Sequence, residues 1–395
     1  MPLWQWSKIQ KCCQDKFAAS LENSAKGSTL TPDEVNQLAA LFNAGRYVEL
    51  ENRARLLLRQ YPDSGVLWKM LGGALQAQGK EYFAVLERAA QLLPDDADLH
   101  FVLGNVLLGL GQLDNAVASY RQALKIKPDY IDAHINLGVT HKRLGQLDLA
   151  ITSYRRALEI KPDSAIAFSK LGVVLQSLGH LDDAVASYRQ ALAIKPDAAD
   201  VHNNLGIALR DLGQLDDAEA SYRRALAINP DFAEAYSNQG NVLKNLHQLD
   251  AALASSRRAV EIKPDLAEAH NNLGEILKEQ GRLEEAEACY KRALELQPDL
   301  AGALNNLGDI LRELGRLDEA RDSCMRALEL DSGMVEAYIN LGIILKELGR
   351  TDEAETRFRQ ALEINRTMQG FISNSEICLL IWESRMLRQN TSTPA

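Results

Sequence analysis

A period of 34 residues constrains this chain more than any other feature, because it repeats eight times from residue 97 to residue 368 without insertion or deletion. The dipeptide Pro-Asp marks the period and is missing only from the last two repeats; it begins at Pro128, Pro162, Pro196, Pro230, Pro264 and Pro298. A constant period of this length indicates stacked supersecondary units rather than one globular core. Each residue is therefore identified below by its place in the repeat, with Ala97 as place 1.

Two looser repeats, residues 31–64 and 65–96, precede the strict ones, and the second of them is two residues shorter. End repeats are expected to differ, because one of their faces has no neighbouring repeat. The sequence thus predicts an N-terminal segment 1–30, two degenerate repeats 31–96 and eight strict repeats 97–368. Residues 369–395 keep enough apolar side chains for a capping helix, followed by a frayed tail.

Each repeat is predicted to form two helices. Places 4, 7, 8 and 11 are spaced as one helix face, and in the first strict repeat they are His100, Leu103, Gly104 and Leu107. Glycine at place 15 ends this helix, Asp114 at place 18 suits a helix cap, and proline at place 32 ends the second helix. The apolar face of the second helix has places 20, 24 and 27, which are Ala116, Tyr120 and Ala123. The small residues are expected to let the two helices approach closely.

The residues at these places resemble the consensus of a known repeat family. Leu-Gly at places 7 and 8, Gly at 15, Ala at 20, Tyr at 24, Ala at 27 and Pro at 32 resemble the tetratricopeptide repeat (TPR). The resemblance implies an all-α fold, a right-handed superhelical solenoid in which the first helix of each pair lines a concave groove. The repeat of residues 233–266 departs most from the pattern, with Gln239 for Leu, His247 for Gly and Ser256 for Tyr.

Asparagine recurs at place 6, interrupted by Val102 in the first strict repeat and by Lys170 in the third: Asn136, Asn204, Asn238, Asn272, Asn306 and Asn340. On a helical wheel this place lies at about 210°, opposite the packing face near about 30°, so these side chains are predicted to point away from the core. An asparagine amide can bond the backbone of an extended peptide without reading its side chains. The alternative is that each amide bonds the neighbouring helix and holds the stack together.

The asparagine row is similar to that of the N-terminal TPR arm of bacterial O-linked N-acetylglucosamine transferase-like proteins. This resemblance implies that the six place-6 asparagines contact the backbone of an acceptor protein, although Lys170 departs from the row. Another peptide-binding mode of the family, the carboxylate clamp, needs lysine at place 5 with asparagine at place 9. The strict repeats have no lysine at place 5, so the sequence does not support that mode.

Residues that could carry chemistry fall at places that packing explains. Four histidines, His100, His134, His202 and His270, all occupy place 4 and are predicted to be packed and locally bonded rather than metal ligands. Cys12 and Cys13 are adjacent, which is wrong for a zinc or redox pair, and Cys324 replaces Tyr at a core place. Paired acids such as Asp318-Glu319 begin the second helices and are interpreted as capping residues. The sequence therefore predicts no catalytic residue, no metal and no cofactor, and a chain that is not an enzyme.

Net charge and composition limit the classes of ligand and the compartment that the sequence predicts. The net charge is −10 with no basic stripe, which argues against nucleic acid as a ligand. The longest apolar run, residues 377–382, is far too short to insert in a membrane, and the N-terminus does not resemble a secretory signal. Five cysteines at irregular positions form no disulfide framework, so the cytoplasm is the predicted compartment.

Three functions remain open from the sequence. The first is a non-catalytic scaffold that binds proteins through extended peptide segments in a concave groove. The second is the substrate-recognition arm of a protein O-glycosyltransferase that lacks its catalytic domain, since the 27 residues after the last repeat cannot hold one. The third is a structural solenoid that associates with itself.

Overall fold

The computed structural model describes residues 30–367 together with residues 380, 381 and 383. Every regular element in this part of the chain is an α-helix, and twenty helices follow one another as antiparallel pairs. The predicted all-α architecture is confirmed. The chain divides into two compact units, Met1–Pro196 and Asp197–Ala395.

The first unit contains the two degenerate repeats and three strict ones. The helices within residues 30–196 are α1 (Pro32–Asn43), α2 (Tyr47–Leu58), α3 (Gly65–Ala77), α4 (Phe83–Leu92), α5 (Ala97–Gly109), α6 (Leu113–Ile126), α7 (Ile131–Arg143), α8 (Leu147–Ile160), α9 (Ala165–Ser177) and α10 (Leu181–Ile194).

The second unit contains five strict repeats. The helices within residues 197–367 are α11 (Ala199–Asp211), α12 (Leu215–Ile228), α13 (Ala233–Asn245), α14 (Leu249–Ile262), α15 (Ala267–Glu279), α16 (Leu283–Leu296), α17 (Ala301–Glu313), α18 (Leu317–Leu330), α19 (Val335–Glu347) and α20 (Thr351–Thr367).

The core of each hairpin is formed by the predicted places. Ala116, Tyr120 and Ala123 are fully buried in the first strict repeat, and the same places are buried in the following ones. The tyrosine at place 24 lies flat against the glycine at place 8: a Cβ atom on Gly138 would be 2.5 Å from Cε1 of Tyr154. Glycine is therefore required because the ring occupies the volume of its missing side chain, which confirms the predicted close approach.

The turn between the two helices differs in one respect from the prediction. The first helix ends two residues before the place-15 glycine, and the second begins at place 17, as at Leu113. Asp114 at place 18 therefore lies inside the first helical turn, and Gln112 occupies the N-cap position without a side-chain cap hydrogen bond. The capping role predicted for the acids at places 18 and 19 is wrong. Their position within the first turn instead complements the positive end of the helix dipole.

The degenerate repeats are joined to the strict ones by a buried ion pair. Lys69 on α3 is fully buried and its Nζ lies 2.5 Å from Oδ2 of Asp96, the residue before α5. The other oxygen of Asp96 accepts a hydrogen bond from the backbone N–H of Leu99 and caps α5. Helix α1 is also capped, because Thr31 and Glu34 form a reciprocal capping box.

The last repeat is covered by residues that follow it. Leu380 and Ile381 pack against the apolar cluster that contains Leu345, Phe358 and Ala361. Glu383 pairs with Lys346 at 2.8 Å. The remaining parts of the N-terminal segment 1–30, with Cys12 and Cys13, and of the C-terminal segment 369–395 lie outside the described residues. No helix within the described ranges is long and apolar enough to cross a membrane.

Candidate functional site

The candidate site lies on the first helices of the repeats, which carry the place-6 asparagines. The first helices of successive repeats contact each other. In the first unit α5 contacts α7 and α7 contacts α9, and in the second unit the same holds along α11, α13, α15, α17 and α19. Place 6 faces away from the hairpin core, as predicted, but all six asparagines are half-buried rather than exposed. The neighbouring first helix partly covers this face, which a helical wheel for one helix does not include.

Four consecutive place-6 asparagines of the second unit bond the repeat before them. Each donates from Nδ2 to the side chain at place 5, which lies 35 residues earlier. The donor–acceptor distances are 3.0 Å for Asn238 to Asn203, 2.9 Å for Asn272 to Ser237, 3.1 Å for Asn306 to Asn271 and 2.9 Å for Asn340 to Asn305. This is the contact that the stacking interpretation of the asparagine row expects.

The first unit uses a variation of the same contact. Asn136 donates from Nδ2 to Oδ1 of Asn105 at 2.7 Å, and the hydroxyl of the buried Tyr120 donates to the same oxygen at 2.7 Å. Asn105 stands at place 9 rather than place 5, because Phe101 and Ile135 fill place 5 in these repeats. Asn204 is half-buried at the corresponding place of α11, and Lys170 interrupts the row as an exposed side chain on α9.

These bonds orient the amides without using all their polar atoms. In the described part of the chain, the Oδ1 atoms of Asn136, Asn238, Asn272, Asn306 and Asn340 accept no hydrogen bond. An amide oxygen has two lone pairs, and an amide nitrogen has two N–H groups. Nδ2 of Asn306 also donates to Oε1 of Glu275 at 3.1 Å, so both of its N–H groups have partners. The last four repeats of the second unit therefore each present one oriented acceptor that can pair with a backbone N–H group.

An ion-pair ladder runs beside this row in the second unit. The cation at place 12 pairs with an acid at place 9 of the next repeat, as in Lys244 with Glu275 at 2.6 Å and Lys278 with Asp309. Burial opposes the ionisation of Asp309, but hydrogen bonds and charges from Lys278 and Arg312 outweigh it and keep the pKa of Asp309 below its usual value. Lys346 and Glu383 continue the ladder beyond the last repeat.

The remaining candidates behave as packing residues. Nε2 atoms of His100, His134 and His270 lie 2.9 to 3.0 Å from the carbonyl oxygens of Pro94, Pro128 and Pro264, so the prediction of locally bonded histidines is confirmed for them. Cys324 is fully buried, as predicted, and burial raises the pKa of its thiol to about 12. Among the residues that the structure describes, no three histidine, cysteine or acidic side chains form a group suited to a metal ion.

Two features of this face were missed by the sequence analysis. Neither the role of the place-5 side chains as acceptors nor the ion-pair ladder was predicted. Both had a signal in the sequence, since a donor and its acceptor recur 35 residues apart and a cation and an acid recur 31 residues apart. A search for polar pairs at these separations would have found them.

Comparisons with known proteins agree with this fold. The sequence profile of the TPR repeat matches residues 104–145 and 142–179. The profile described as the cilia and flagella-associated protein 70 C-terminal domain matches residues 167–374, more than half of the chain. No curated protein sequence matches the chain.

Solved structures include several similar repeat proteins. A tetratricopeptide repeat protein from Parabacteroides merdae is 18% identical, with a TM-score of 0.53 over 65% of this chain and 98% of its own, which establishes the fold. YrrB, described as a TPR protein with an unusual peptide-binding site, is 26% identical, with a TM-score of 0.40 over 47% of this chain and 95% of its own. PilF of Pseudomonas aeruginosa is 23% identical, with a TM-score of 0.46 over 52% and 94%.

The profile matches, the place-specific residues and the consecutive helical hairpins all describe the same architecture, a scaffold consistent with protein–protein interaction. The chain belongs to the tetratricopeptide repeat family, and its residues 167–374 belong to the family of the cilia and flagella-associated protein 70 C-terminal domain.

Proposed function

We propose that this chain is a non-catalytic scaffold that binds extended peptide segments of other proteins along its first helices. The observation that carries the proposal is the row of oriented amides in the second unit. The Nδ2 atoms of four place-6 asparagines are tied to the preceding repeat, while the oxygens of the same amides have no donor among the described residues; they are Asn238, Asn272, Asn306 and Asn340.

The spacing of the row suits an extended backbone. Packed helices lie about 8–10 Å apart, and a strand rises about 3.3 Å per residue, so one amide would meet roughly every third peptide residue. Contacts of this kind use the peptide backbone, which all sequences share. The expected binding is therefore tolerant of sequence, and selectivity must come from other side chains on the same face.

The amides have two roles, stacking and ligand binding, so the test must separate them. The double variant Asn272→Ala/Asn340→Ala removes two inter-repeat hydrogen bonds and two groove acceptors. The matched double variant Ser237→Ala/Asn305→Ala removes the same two hydrogen bonds from the other side and keeps both place-6 amides. Both doubles should lose comparable stability, about 0.5–1.5 kcal/mol for each hydrogen bond.

Binding should distinguish the two doubles. The probe is a fluorescent peptide enriched from a random display library on the wild-type chain, and its dissociation constant is measured by anisotropy. We expect Asn272→Ala/Asn340→Ala to weaken binding by about 1–3 kcal/mol, the value of two net hydrogen bonds. The double Ser237→Ala/Asn305→Ala should bind nearly as the wild type does. If both doubles lose affinity equally, or if no peptide is enriched, the amides serve stacking alone and the proposal is wrong.

A further inference from the structure

The first helices α3 and α5 differ from the later first helices in how deeply one face is buried. Places 2, 6, 9 and 13 lie on the side away from the hairpin core, which we call the place-6 face. In the first helices from α7 to α19, every residue at these places is half-buried or exposed. In α3 and α5 most of them are buried: Val66, Met70, Gly73, Val102 and Asn105. The exposed fraction is 0% for Met70 and 1% for Val102, which both stand at place 6.

Stacking against neighbouring repeats does not explain this burial. Helix α15 contacts a first helix on either side, α13 and α17, and its place-6 residue Asn272 is still only half-buried. Helix α5 contacts the first helix α7, and it contacts α4 and α6 as other first helices contact the second helices beside them. The comparison indicates that a further segment of chain covers the place-6 face of α3 and α5.

The side chains on this face are also of a different kind. Place 6 is Met70 in α3 and Val102 in α5, where six later repeats have asparagine. Place 12, beside this face, is the buried Leu108 in α5, where the later first helices have lysine, arginine or glutamine. A helix that is apolar on all sides is one that neighbours enclose on all sides. The covering segment is therefore expected to present apolar side chains.

Residues 1–29 are the part of the chain that suits this face by position. Leu30, the residue that follows them, belongs to the same buried apolar cluster as Val66 and Met70. The segment therefore ends beside α3. The C-terminal segment is engaged elsewhere, because Leu380 and Ile381 pack against the last repeat.

The segment also carries the required apolar pattern. Six apolar residues follow one another at intervals of three or four, the spacing of one helix face. They are Leu3, Trp6, Ile9, Cys13, Phe17 and Leu21. On a helical wheel they fall within an arc of about 120°, and Lys8, Lys11 and Asp15 lie on the opposite side.

The lengths are compatible with this assignment. A helix of residues 3–21 would be about 28 Å long at 1.5 Å per residue. Two packed helices about 8–10 Å apart are together about 20 Å wide, so such a helix can cross both α3 and α5. Residues 22–29 can span about a further 26 Å when extended, which is enough to return the chain to Leu30.

We propose that residues 3–21 bind as a helix across the place-6 faces of α3 and α5, with Trp6 and Phe17 against Val102. The segment is then an internal ligand of the first unit. This inference goes beyond the proposed function and does not depend on it. Peptides of other proteins would contact the first helices only from α7 onward, and release of the segment would open α3 and α5 as well.

The exposure of Val102 in the full chain tests the proposal. Valine methyl groups are observed by NMR, and a soluble nitroxide broadens the resonances of the methyl groups that it can reach. In the wild type we expect strong broadening of Val48, which is 59% exposed, and almost none of Val102. In Trp6→Ser/Phe17→Ser, the paramagnetic relaxation rate of Val102 should rise severalfold toward that of Val48.

A matched variant controls for the loss of apolar residues in general. Trp4→Ser/Ala18→Ser also removes one tryptophan, but from the opposite side of the helical wheel, and should leave Val102 protected. Val174 on α9 is fully buried in the same unit, so its protection in both variants shows that the repeats remain folded.

A synthetic peptide of residues 1–21 tests the contact in trans. Added to the Trp6→Ser/Phe17→Ser chain, it should protect Val102 again. The same peptide with Trp6→Ser and Phe17→Ser should not.

Photo-cross-linking identifies the contact directly. The photoreactive amino acid p-benzoylphenylalanine in place of Phe17 should cross-link to α3 or α5 of the same chain, as read by mass spectrometry. Cross-links to the second unit, or to a second copy in a cross-linked dimer, would overturn the proposal. So would a Val102 that is broadened in the wild type or that stays protected in Trp6→Ser/Phe17→Ser. Failure of the proposed function is seen separately, because it is measured with the library-derived peptide and the variants of Asn272 and Asn340.

Discussion

One backbone conformation recurs at the turn inside the hairpins. Glycine at place 15 has φ between 73° and 77° in the strict repeats that contain it, a left-handed conformation in which a Cβ atom is strained. The repeat of residues 233–266 has His247 there, with φ of 58°. The surrounding helices therefore hold His247 in a left-handed backbone conformation that its side chain disfavours, and the conformational strain is confined to this residue.

We expect His247→Gly to stabilise the second unit by about 1 kcal/mol, the typical cost of a left-handed conformation for a residue with a Cβ atom. Gly213→Ala, at the same place one repeat earlier, should destabilise it by a similar amount. Urea unfolding followed by circular dichroism measures both. A His247→Gly chain that is less stable than the wild type would show that the imidazole contributes more than the strain costs.

The same repeat shows how far single residues could be predicted. Its three departures, Gln239, His247 and Ser256, were visible in the sequence, and the structure adds their consequences. Gln239 stays buried by bonding Glu219 and Ser255, while the hydroxyl of Ser256 is buried without a partner in the described residues. The acids at places 18 and 19 were misassigned because helix starts are placed by backbone geometry, which residue type alone locates only to within one or two positions.

Helix pairs are held at their separation by the contact of glycine with tyrosine. On α11, a Cβ atom at Gly206 would lie 2.6 Å from Cε1 of Tyr222, whose ring is fully buried and cannot move aside. On α17, a Cβ atom at Gly302 would have no atom within 4 Å. Gly206 lies in the middle of its helix and Gly302 in the first turn of its helix, and only Gly206 has a neighbouring ring in the volume that a Cβ atom would occupy.

Gly206→Ala should separate α11 from α12 and cost about 1–3 kcal/mol of overpacking, reduced by up to about 1 kcal/mol because alanine favours the helix. Gly302→Ala should instead stabilise the protein by up to about 1 kcal/mol. Thermal unfolding of the two variants side by side measures the difference. Equal stabilities would mean that the helices adjust their separation freely.

Contacts within a hairpin were easier to predict from the sequence than contacts between repeats. The hairpin core was predictable because each helix carries its own apolar period, and Ala116, Tyr120 and Ala123 lie where that period places them. The bonds of Asn272 and Asn306 were only one of two alternatives, because they depend on the distance between first helices of different repeats, although their donor and acceptor recur 35 residues apart in the sequence. The sequence left open whether these amides hold the stack together or bind a ligand. The structure shows the stacking hydrogen bond, and the amide oxygens remain without a donor among the described residues.

At the scale of the whole molecule, repeats interact mainly with their neighbours. Helices contact the partner in their hairpin, the next hairpin and the next first helix. The stability of such a stack is approximately a sum over repeats and interfaces. Removal of one complete period should therefore shorten the protein without changing the contacts of the repeats that remain.

Deletion of residues 267–300 tests this directly. It would bring Asn306 opposite Ser237 and Lys244 opposite Asp309, recreating the hydrogen bond that Asn272 makes and the ion pair that Glu275 makes. We expect a folded chain with unchanged helicity per residue and a modestly lower unfolding midpoint, measured by circular dichroism. Deletion of residues 267–283, half a period, should disrupt folding of the second unit because it joins two like faces. If both deletions unfold alike, the repeats are not independent.

The amide row has a mechanical consequence. The group that would hold a peptide is the group that ties each hairpin to the one before it, as Asn306 does to Asn271. A ligand that pulls on the oxygen therefore shifts the nitrogen, and with it the separation of two neighbouring hairpins. By thermodynamic reciprocity, stretching or compressing the stack must change the affinity for the ligand by the same free energy. Ligand binding and the separation of neighbouring hairpins would therefore be coupled, so tension on the protein would act as an allosteric effector of ligand affinity.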